Sequence, residues 1–302
     1  MSSGIQETVR DKVFLACNYT CVFLAFLIVF YPLVYIVSAS ISDPKEVASG
    51  AMWLWPKGIT FEGYERVFDN SNIWKGYANT IVYTVVGTAV NLLVTLPAAY
   101  ALSRKDFVGR HFFMGMFLVT MFFSGGLVPT YLLVKQLGMI DTMWAIVLPS
   151  AASIWNIVVS RTFFQSSIPK ELQEAAQIDG CTNGRLFRQI VLPLSMPIVA
   201  VMALFYGVGH WNGYFSALIY LNDTAKYPLQ LVLRQILVLQ EMAAQGGGAI
   251  DASSAAAMNN KAEIAALVKY AVIIVATIPV IAVYPFLQRY FVQGVMIGSV
   301  KG

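Results

Sequence analysis

The sequence has 302 residues, of which 58% are hydrophobic and only 12% are charged, and its formal net charge is +4. Soluble domains carry about 25% charged residues, so this composition excludes a soluble enzyme, a soluble nucleic-acid-binding protein and a disordered scaffold. About 20 apolar residues span a bilayer as a helix, so long stretches without charge indicate transmembrane helices. Six such stretches make up half of the chain, at 13–42, 76–103, 111–134, 142–160, 189–222 and 270–288.

In chain order, these stretches predict an all-α membrane protein with six transmembrane helices in a single domain covering residues 1–302. The first stretch is too long for a cleaved signal peptide and has no small-residue cleavage pattern, so we expect an uncleaved first helix. Pro32 predicts a kink or break in that helix, Pro149 lies inside the fourth, and Gly125 and Gly126 predict an irregular end of the third. The expected spans are about 14–40, 77–102, 112–134, 143–163, 191–220 and 268–287.

The distribution of Lys and Arg sets the expected orientation. Six spans place both termini on one side, together with the connections 104–110 and 161–190. Lys and Arg are about twice as dense in these segments as in the other loops, and cytoplasmic loops carry such an excess. We therefore expect a multi-pass protein with both termini in the cytoplasm.

Two loops on the opposite side are long. Loop 41–76 contains Trp53 and Trp55, which indicate either an interfacial aromatic belt or a docking surface for an external partner. Loop 221–267 is rich in Ala, Gly and Ser between residues 243 and 257, a composition typical of mobile segments.

The inner loop 161–190 is longer than a simple helix hairpin needs. From Pro169 to Gly180 it has a proline at the start, acidic residues in the first turn and a glycine at the end, which are helix start and stop signals. We expect a short helix whose apolar face is formed by Leu172, Ala175, Ala176 and Ile178. A helix of this kind either lies at the membrane interface or is gripped by another protein.

This loop resembles the EAA loop of binding-protein-dependent ABC importer permeases. The resemblance rests on Glu174-Ala175-Ala176-x-x-Asp179-Gly180, followed by Phe187-x-x-Ile190-x-Leu192-Pro193. It implies a type I ABC importer permease architecture, in which loop 169–190 carries a short cytoplasmic coupling helix that docks on an ATPase subunit. The coupling residues are then Glu174, Ala175, Ala176, Asp179, Gly180 and Phe187. Cys181 departs from the family, which usually has alanine there.

The carbohydrate-uptake branch of that family, with its maltose-type permeases, is similar in the tail 289–302 and in the phrase Trp211-Asn212-x-Tyr214. The resemblance implies an oligosaccharide substrate, a heterodimer with a second permease subunit, two copies of an ABC ATPase subunit, and an extracellular or periplasmic sugar-binding protein. It further implies a location in the bacterial cytoplasmic (inner) membrane and a tail that reaches toward the ATPase dimer.

The sequence lacks a G-x-x-x-x-G-K-[ST] phosphate loop and a cluster with metal-ligand spacing. We therefore expect no cofactor, metal or catalytic residue on this chain, no enzymatic activity of its own, and ATP and Mg on the partner ATPase subunits. An ion-coupled carrier usually holds ionisable groups within its spans, whereas here His210 is the one titratable candidate deep in a span.

Sugars are bound by hydrogen-bonding side chains and flat aromatic faces. The candidates along the substrate path are Trp155, Asn156, Tyr206, Trp211, Asn212 and Tyr214. Aromatic residues at interfaces and asparagines that bond between helices are the alternative explanation for these positions. Three alternatives for the function also remain: an ion-coupled secondary transporter that acts alone, an ABC permease for a non-sugar solute, and a membrane subunit without a transport role.

Overall fold

The computed structural model describes residues 8–245, 268–283 and 285, and every regular element in this part of the chain is helical. A π-helical turn, Phe187–Val191, connects α10 to α11, and a 3-10 turn, Thr224–Lys226, precedes α14. The helices are α1 Val9–Ser40, α2 Pro44–Ala48, α3 Glu62–Asp69, α4 Ser71–Ser103, α5 Arg110–Phe122, α6 Leu127–Gln136, α7 Trp144–Val147, α8 Ile154–Ser167, α9 Lys170–Ile178, α10 Asn183–Leu186, α11 Leu192–Leu194, α12 Met196–Trp211, α13 Phe215–Tyr220, α14 Leu229–Gln245 and α15 Val268–Val283.

Two of the charge-free stretches form continuous helices. α1 and α4 are each long and apolar enough to cross a membrane. Neither is broken at its proline: α1 continues through Pro32 and α4 through Pro97. Backbone groups freed by a proline inside a spanning helix are satisfied again by neighbouring groups or local adjustment.

Three other stretches are interrupted. The third forms α5 and α6, which meet at an angle of 111° across residues 123–126, where the irregularity was predicted. The fourth forms α7 and α8, separated by residues 148–153 around Pro149. The fifth begins in the segment Asn183–Leu194, which contains α10 and α11 and meets α12 at an angle of 82°.

By length and composition, the described residues contain two spanning helices, or four if each bent pair is one span, so the count of six stays a prediction. Some sequence predictions lie outside the described residues. These are the end of the sixth span at 284 and 286–287, the part of the Ala/Gly/Ser-rich loop at 246–267, and the tail 289–302.

The described residues form two compact units. The first contains residues 8–70, 235–245 and 268–275, and the second contains residues 71–234, 276–283 and 285. In the first unit, Thr8 and Asp11 form a capping box at the start of α1: the Asp11 amide donates to Thr8 Oγ1 (3.3 Å) and the Thr8 amide donates to Asp11 Oδ2 (2.9 Å). Most of α1 is exposed. The indole rings of Trp53 and Trp55 are 70% and 83% exposed, which is compatible with both explanations offered for that loop.

In the second unit, α8 and α12 pack on α4. Ala99 of α4, Phe164 of α8 and Met202 of α12 are buried in one hydrophobic cluster. Along α4, a face of small and polar side chains is buried with them, and includes Thr80, Tyr83, Gly87, Asn91 and Thr95. Because small residues and inter-helix hydrogen bonds hold helices together in a bilayer, this face makes α4 the central helix of the unit.

Two connections of the second unit are tied together by Asp141, which has a positive φ of 60°. Its Oδ2 accepts from Lys226 Nζ (2.7 Å), and its Oδ1 accepts from the amides of Asn222 and Asp223 (3.1 Å each). These bonds, that from Lys226 above all, lower the pKa of Asp141 to about 2. The carboxylate is therefore ionised at neutral pH, and it fixes the connection between α6 and α7 to the one between α13 and α14.

Candidate functional site

The predicted short helix is present as α9, which begins directly after Pro169. It ends in the left-handed residue Gly180, whose φ is +73°. The Gly180 amide donates to the carbonyl of Gln177 (3.0 Å), and the Cys181 amide donates to the carbonyl of Ala176 (2.9 Å). This pair of bonds is the Schellman motif. Gly180 is therefore a structural requirement for the way in which α9 ends.

The apolar residues of α9 do not form the single face that the sequence predicted. Ala176 is buried and Leu172 is half-buried, whereas Ala175 is exposed and the side chain of Ile178 is 87% exposed. One apolar edge attaches α9 to its own unit, and the other faces outward. The outward surface includes Glu174, Ala175, Ile178, Asp179 and Gly180.

Phe187 supports this surface by packing on α4. Its half-buried ring stacks on Tyr100 in the last turn of α4, with ring centroids 5.1 Å apart. The neighbouring Leu186 is fully buried in the same hydrophobic cluster as Ala176. The structure therefore divides the predicted coupling residues into an exposed group (Glu174, Ala175, Asp179 and Gly180), the buried Ala176, and Phe187, which lies in the π-helical turn and packs on Tyr100 of α4.

Arg104, just after α4, holds the other side of Tyr100. Its guanidinium donates to Asp106 Oδ1 (2.8 Å) and to the Tyr100 hydroxyl (3.1 Å), and its side chain is only 7% exposed. The hydrogen bond with Asp106 raises the pKa of Arg104 and lowers that of Asp106. Together with Phe187 these groups line a cleft of about 390 Å³, so the segment after α9 and the end of α4 share one rigid contact.

A second feature is a cavity of about 530 Å³ deeper in the unit, lined from α4, α7, α8, α12 and α13 and from the connections beside them. Its lining residues carry hydroxyl, amide, imidazole and phenol groups, and none of them is permanently charged. The lining is Tyr83, Ile146, Ser150, Ala152, Ser153, Asn156, Phe205, Tyr206, Gly209, His210, Gly213, Ser216, Ala217 and Pro228.

The cavity contains two of the six predicted substrate-path residues. Asn156 and Tyr206 both line it, and the Tyr206 hydroxyl bonds to Thr95 Oγ1 (2.6 Å). Small-molecule pockets typically have apolar walls with a few fixed polar groups. These two residues therefore remain candidates for substrate contact.

The other four candidates do not line this cavity. The indole of Trp211 is buried, donates to the carbonyl of Ala276 (3.1 Å), and lines a separate, almost wholly apolar cavity of about 540 Å³. Tyr214 lies under the guanidinium of Arg234, 5.4 Å from its ring centroid. Trp155 and Asn212 are exposed.

Sequence reasoning missed Ser150, Ser153 and Ser216, which line the cavity. A signal was available for the first two, because Pro149 interrupts an otherwise charge-free stretch. Interrupted spans point to binding sites in transporters, where the unwound backbone lines a cavity. Ser216 follows a break between α12 and α13 that no proline marks.

Comparison with known proteins links these features to one family. The sequence profile described as binding-protein-dependent transport system inner membrane component matches residues 73–297. Protein LplC of Bacillus subtilis strain 168 is 42% identical over 99% of this chain and 98% of its own. The polygalacturonan/rhamnogalacturonan transport system permease protein YtcP of the same organism is 39% identical over 97% of this chain and 100% of its own.

A solved structure has the same fold. It is a crystal structure of a bacterial ABC transporter involved in the import of the acidic polysaccharide alginate. One of its chains is similar with a TM-score of 0.83 and 33% identity, covering 95% of this chain and 99% of that one. The permease fold of this chain is therefore shared with an importer.

Proposed function

Because the chain belongs to the family of binding-protein-dependent transport system inner membrane components, we propose that it is the permease subunit of an ABC importer for an acidic oligosaccharide. The observation that carries the proposal is α9, a short helix that bears the EAA motif and keeps Glu174, Ala175 and Asp179 exposed. A helix that is closed by a Schellman motif and attached on one edge only is suited to being gripped by another subunit.

The partners follow from what the chain lacks. Its sequence has no phosphate loop, and we place ATP and Mg on two ATPase subunits, one of which binds α9. A second permease completes a heterodimer, and a sugar-binding protein delivers the substrate on the outer side. Both termini, α9 and the tail 289–302 face the cytoplasm, and six helices of each permease cross the membrane. The chain itself catalyses no reaction.

The substrate class rests on two supports. YtcP is described as a permease for polygalacturonan and rhamnogalacturonan, and the similar solved structure is that of a transporter involved in the import of alginate. All three of these polymers contain uronic acids. The lining of the 530 Å³ cavity contains no carboxylate that would repel a uronate, and it offers Asn156, Ser150, Ser153 and Tyr206 as hydrogen-bonding groups.

In the proposed mechanism, ATP binding closes the ATPase pair and moves α9. Phe187 passes this movement to Tyr100 and hence to α4, because the two rings are stacked and Arg104 holds Tyr100 from the other side. α4 packs on α8 and α12, which carry the cavity walls. Movement at α9 is thus converted into alternating access of the cavity.

The test is reconstitution of the complex in proteoliposomes with its sugar-binding protein. We expect uptake of trigalacturonate that requires both ATP and the binding protein, and slower uptake of the neutral control maltotriose. Flux through this chain alone, driven by a proton or sodium gradient, would instead establish a secondary transporter. Uptake of maltotriose in preference to trigalacturonate would overturn the acidic substrate class while leaving the importer intact.

A further inference from the structure

The connection between α7 and α8 is held in place by one buried side chain of α4. Asn91 is fully buried, and its Nδ2 donates to the carbonyls of Ser150 (2.6 Å) and Ala151 (2.9 Å). These carbonyls belong to residues 148–153, where the helical hydrogen bonding of the fourth stretch is interrupted. Carbonyls left without a helical partner inside a membrane need another donor, and Asn91 supplies it twice.

The same amide group fixes His210 of α12. Asn91 Oδ1 lies 2.6 Å from His210 Nε2. The two carbonyls accept from the NH2 group of Asn91, so the atom that faces His210 is the amide oxygen, which can only accept. His210 Nε2 therefore carries a hydrogen and donates it. The chain of bonds runs in one direction, from the imidazole through the amide to the two carbonyls.

Gly87 leaves the space in which this imidazole lies. A Cβ at Gly87 would be 2.5 Å from His210 Nε2, 2.6 Å from Cε1 and 2.8 Å from Cδ2. Distances below 3 Å are not tolerated between such atoms, so any side chain at this position displaces the ring. Gly87 and Asn91 lie one turn apart on α4, and together they hold His210 against that helix.

The consequence concerns the cavity. Ser150, Ala152 and Ser153 of the connection line it, and so does His210 itself. Within the connection the Ala151 amide donates to the carbonyl of Leu148 (3.1 Å), and the carbonyls of Ser150 and Ala151 are tied to α4 through Asn91. The bonds of Asn91 therefore set the distance between two walls of the cavity, the one formed by residues 150–153 and the one formed by α12.

We propose that Gly87, Asn91 and His210 are positioning residues that fasten the α7–α8 connection to α4 and α12, and so determine the length of oligosaccharide that the cavity admits. The proposal rests on the proposed function, because it assigns a role to the cavity of that permease. It adds a way of selecting the substrate by its length in which none of the three residues has to contact the sugar.

The test is a double-mutant cycle in the reconstituted complex, with di-, tri- and tetragalacturonate as substrates. We expect Gly87→Ala to lower uptake about 10-fold and to change the ratio of tetra- to digalacturonate uptake, because the displaced ring releases the connection. In the His210→Ala background the added methyl meets no ring, so Gly87→Ala is expected to change uptake less than about 2-fold. Gly115→Ala is the matched control, since a Cβ there meets no atom within 4 Å.

A second variant and a second measurement distinguish failure of this proposal from failure of the proposed function. Asn91→Asp keeps the size and the acceptor but has at most one donor, on its protonated carboxyl, so we expect a change in length preference in the same direction as for Gly87→Ala. Equal effects of Gly87→Ala in both backgrounds, or an unchanged length ratio, would overturn the proposal. If the wild-type complex takes up no oligogalacturonate, the proposed function fails, and the same cycle measured by thermal unfolding of the purified complex still tests whether the three residues are coupled.

Discussion

Replacement of Gly180 by valine isolates the contribution of the end of α9. Gly180 has a φ of +73°, and a Cβ at this position meets no atom within 4 Å. The substitution therefore introduces no clash, and its cost comes from the backbone alone. A left-handed conformation costs a residue with a side chain about 1–2 kcal/mol, and a β-branched residue is especially unfavourable there.

Valine leaves the chain two choices, both local. It keeps the left-handed conformation at that cost, or it rotates away and loses the bonds from the Gly180 and Cys181 amides, each of which contributes about 0.5–1.5 kcal/mol. Either way the native end of α9 becomes about 5- to 30-fold less populated. Since docking requires that shape, we expect Gly180→Val to reduce ATP-driven uptake by at least this factor while membrane insertion stays normal.

The chain contains a matched control. Gly138 has a φ of +67° and nothing within 4 Å of a Cβ. It ends α6 with the same two bonds, from its own amide to the carbonyl of Lys135 (3.0 Å) and from the Met139 amide to the carbonyl of Val134 (3.1 Å). Gly138→Val therefore imposes the same backbone cost away from α9. Gly180→Asn is a graded variant, because asparagine tolerates this conformation.

The assay is uptake together with substrate-stimulated ATP hydrolysis in the reconstituted complex. We expect both to fall for Gly180→Val, to be intermediate for Gly180→Asn, and to stay near the wild-type level for Gly138→Val. Wild-type uptake by Gly180→Val would refute the reasoning. So would an equal loss in Gly138→Val, because the effect would then reflect general destabilisation.

Three further outcomes are expected. The stability difference between wild type and Asp141→Asn should be constant above about pH 5, decrease as the pH falls through the ordinary pKa of about 3.9, and be largely lost at about pH 2, because the depressed pKa of Asp141 stabilises the fold only while the carboxylate is ionised. Melting temperatures between pH 2 and 7 check this. Arg104→Ala removes the donor to Asp106, and should lower thermal stability by about 1–3 kcal/mol, whereas Arg104→Lys should lose less. Trp211→Phe keeps an aromatic ring but removes the hydrogen bond to Ala276 and part of the buried indole, and should cost more in detergent unfolding than the about 0.6 kcal/mol of an average inter-helix hydrogen bond.

The sequence was most informative where a single local cause acts. Charge-free stretches predicted the apolar helices, because burying a charge in a bilayer is costly over the whole length of a span. Pro169 and Gly180 predicted both ends of α9, since each acts through its own backbone geometry. Of the residues in the EAA motif, Glu174, Ala175, Asp179 and Gly180 are exposed and Ala176 is buried; their coupling role stays a prediction.

Sequence reasoning failed where the cause lies between segments distant in the chain. The break at residues 148–153 depends on donors from Asn91, 59 and 60 positions earlier than the two carbonyls they reach. The position of the Trp211 indole depends on its hydrogen bond to the carbonyl of Ala276, 65 residues later in the chain. No local periodicity contains such information, so the cavity lining was predicted at Asn156 and Tyr206 and missed at the serines.

The exposed first helix has a consequence for biosynthesis. No residue in the most apolar window of α1 is buried, and Thr8 and Asp11 close its first turn with bonds internal to that turn. The apolar window of α1 is therefore stabilised by lipid, while its last turn, at residues 38–40, packs within its own unit. It precedes the other helices in the sequence, so it can enter the bilayer during translation and tether the nascent polypeptide there before the later helices are synthesised.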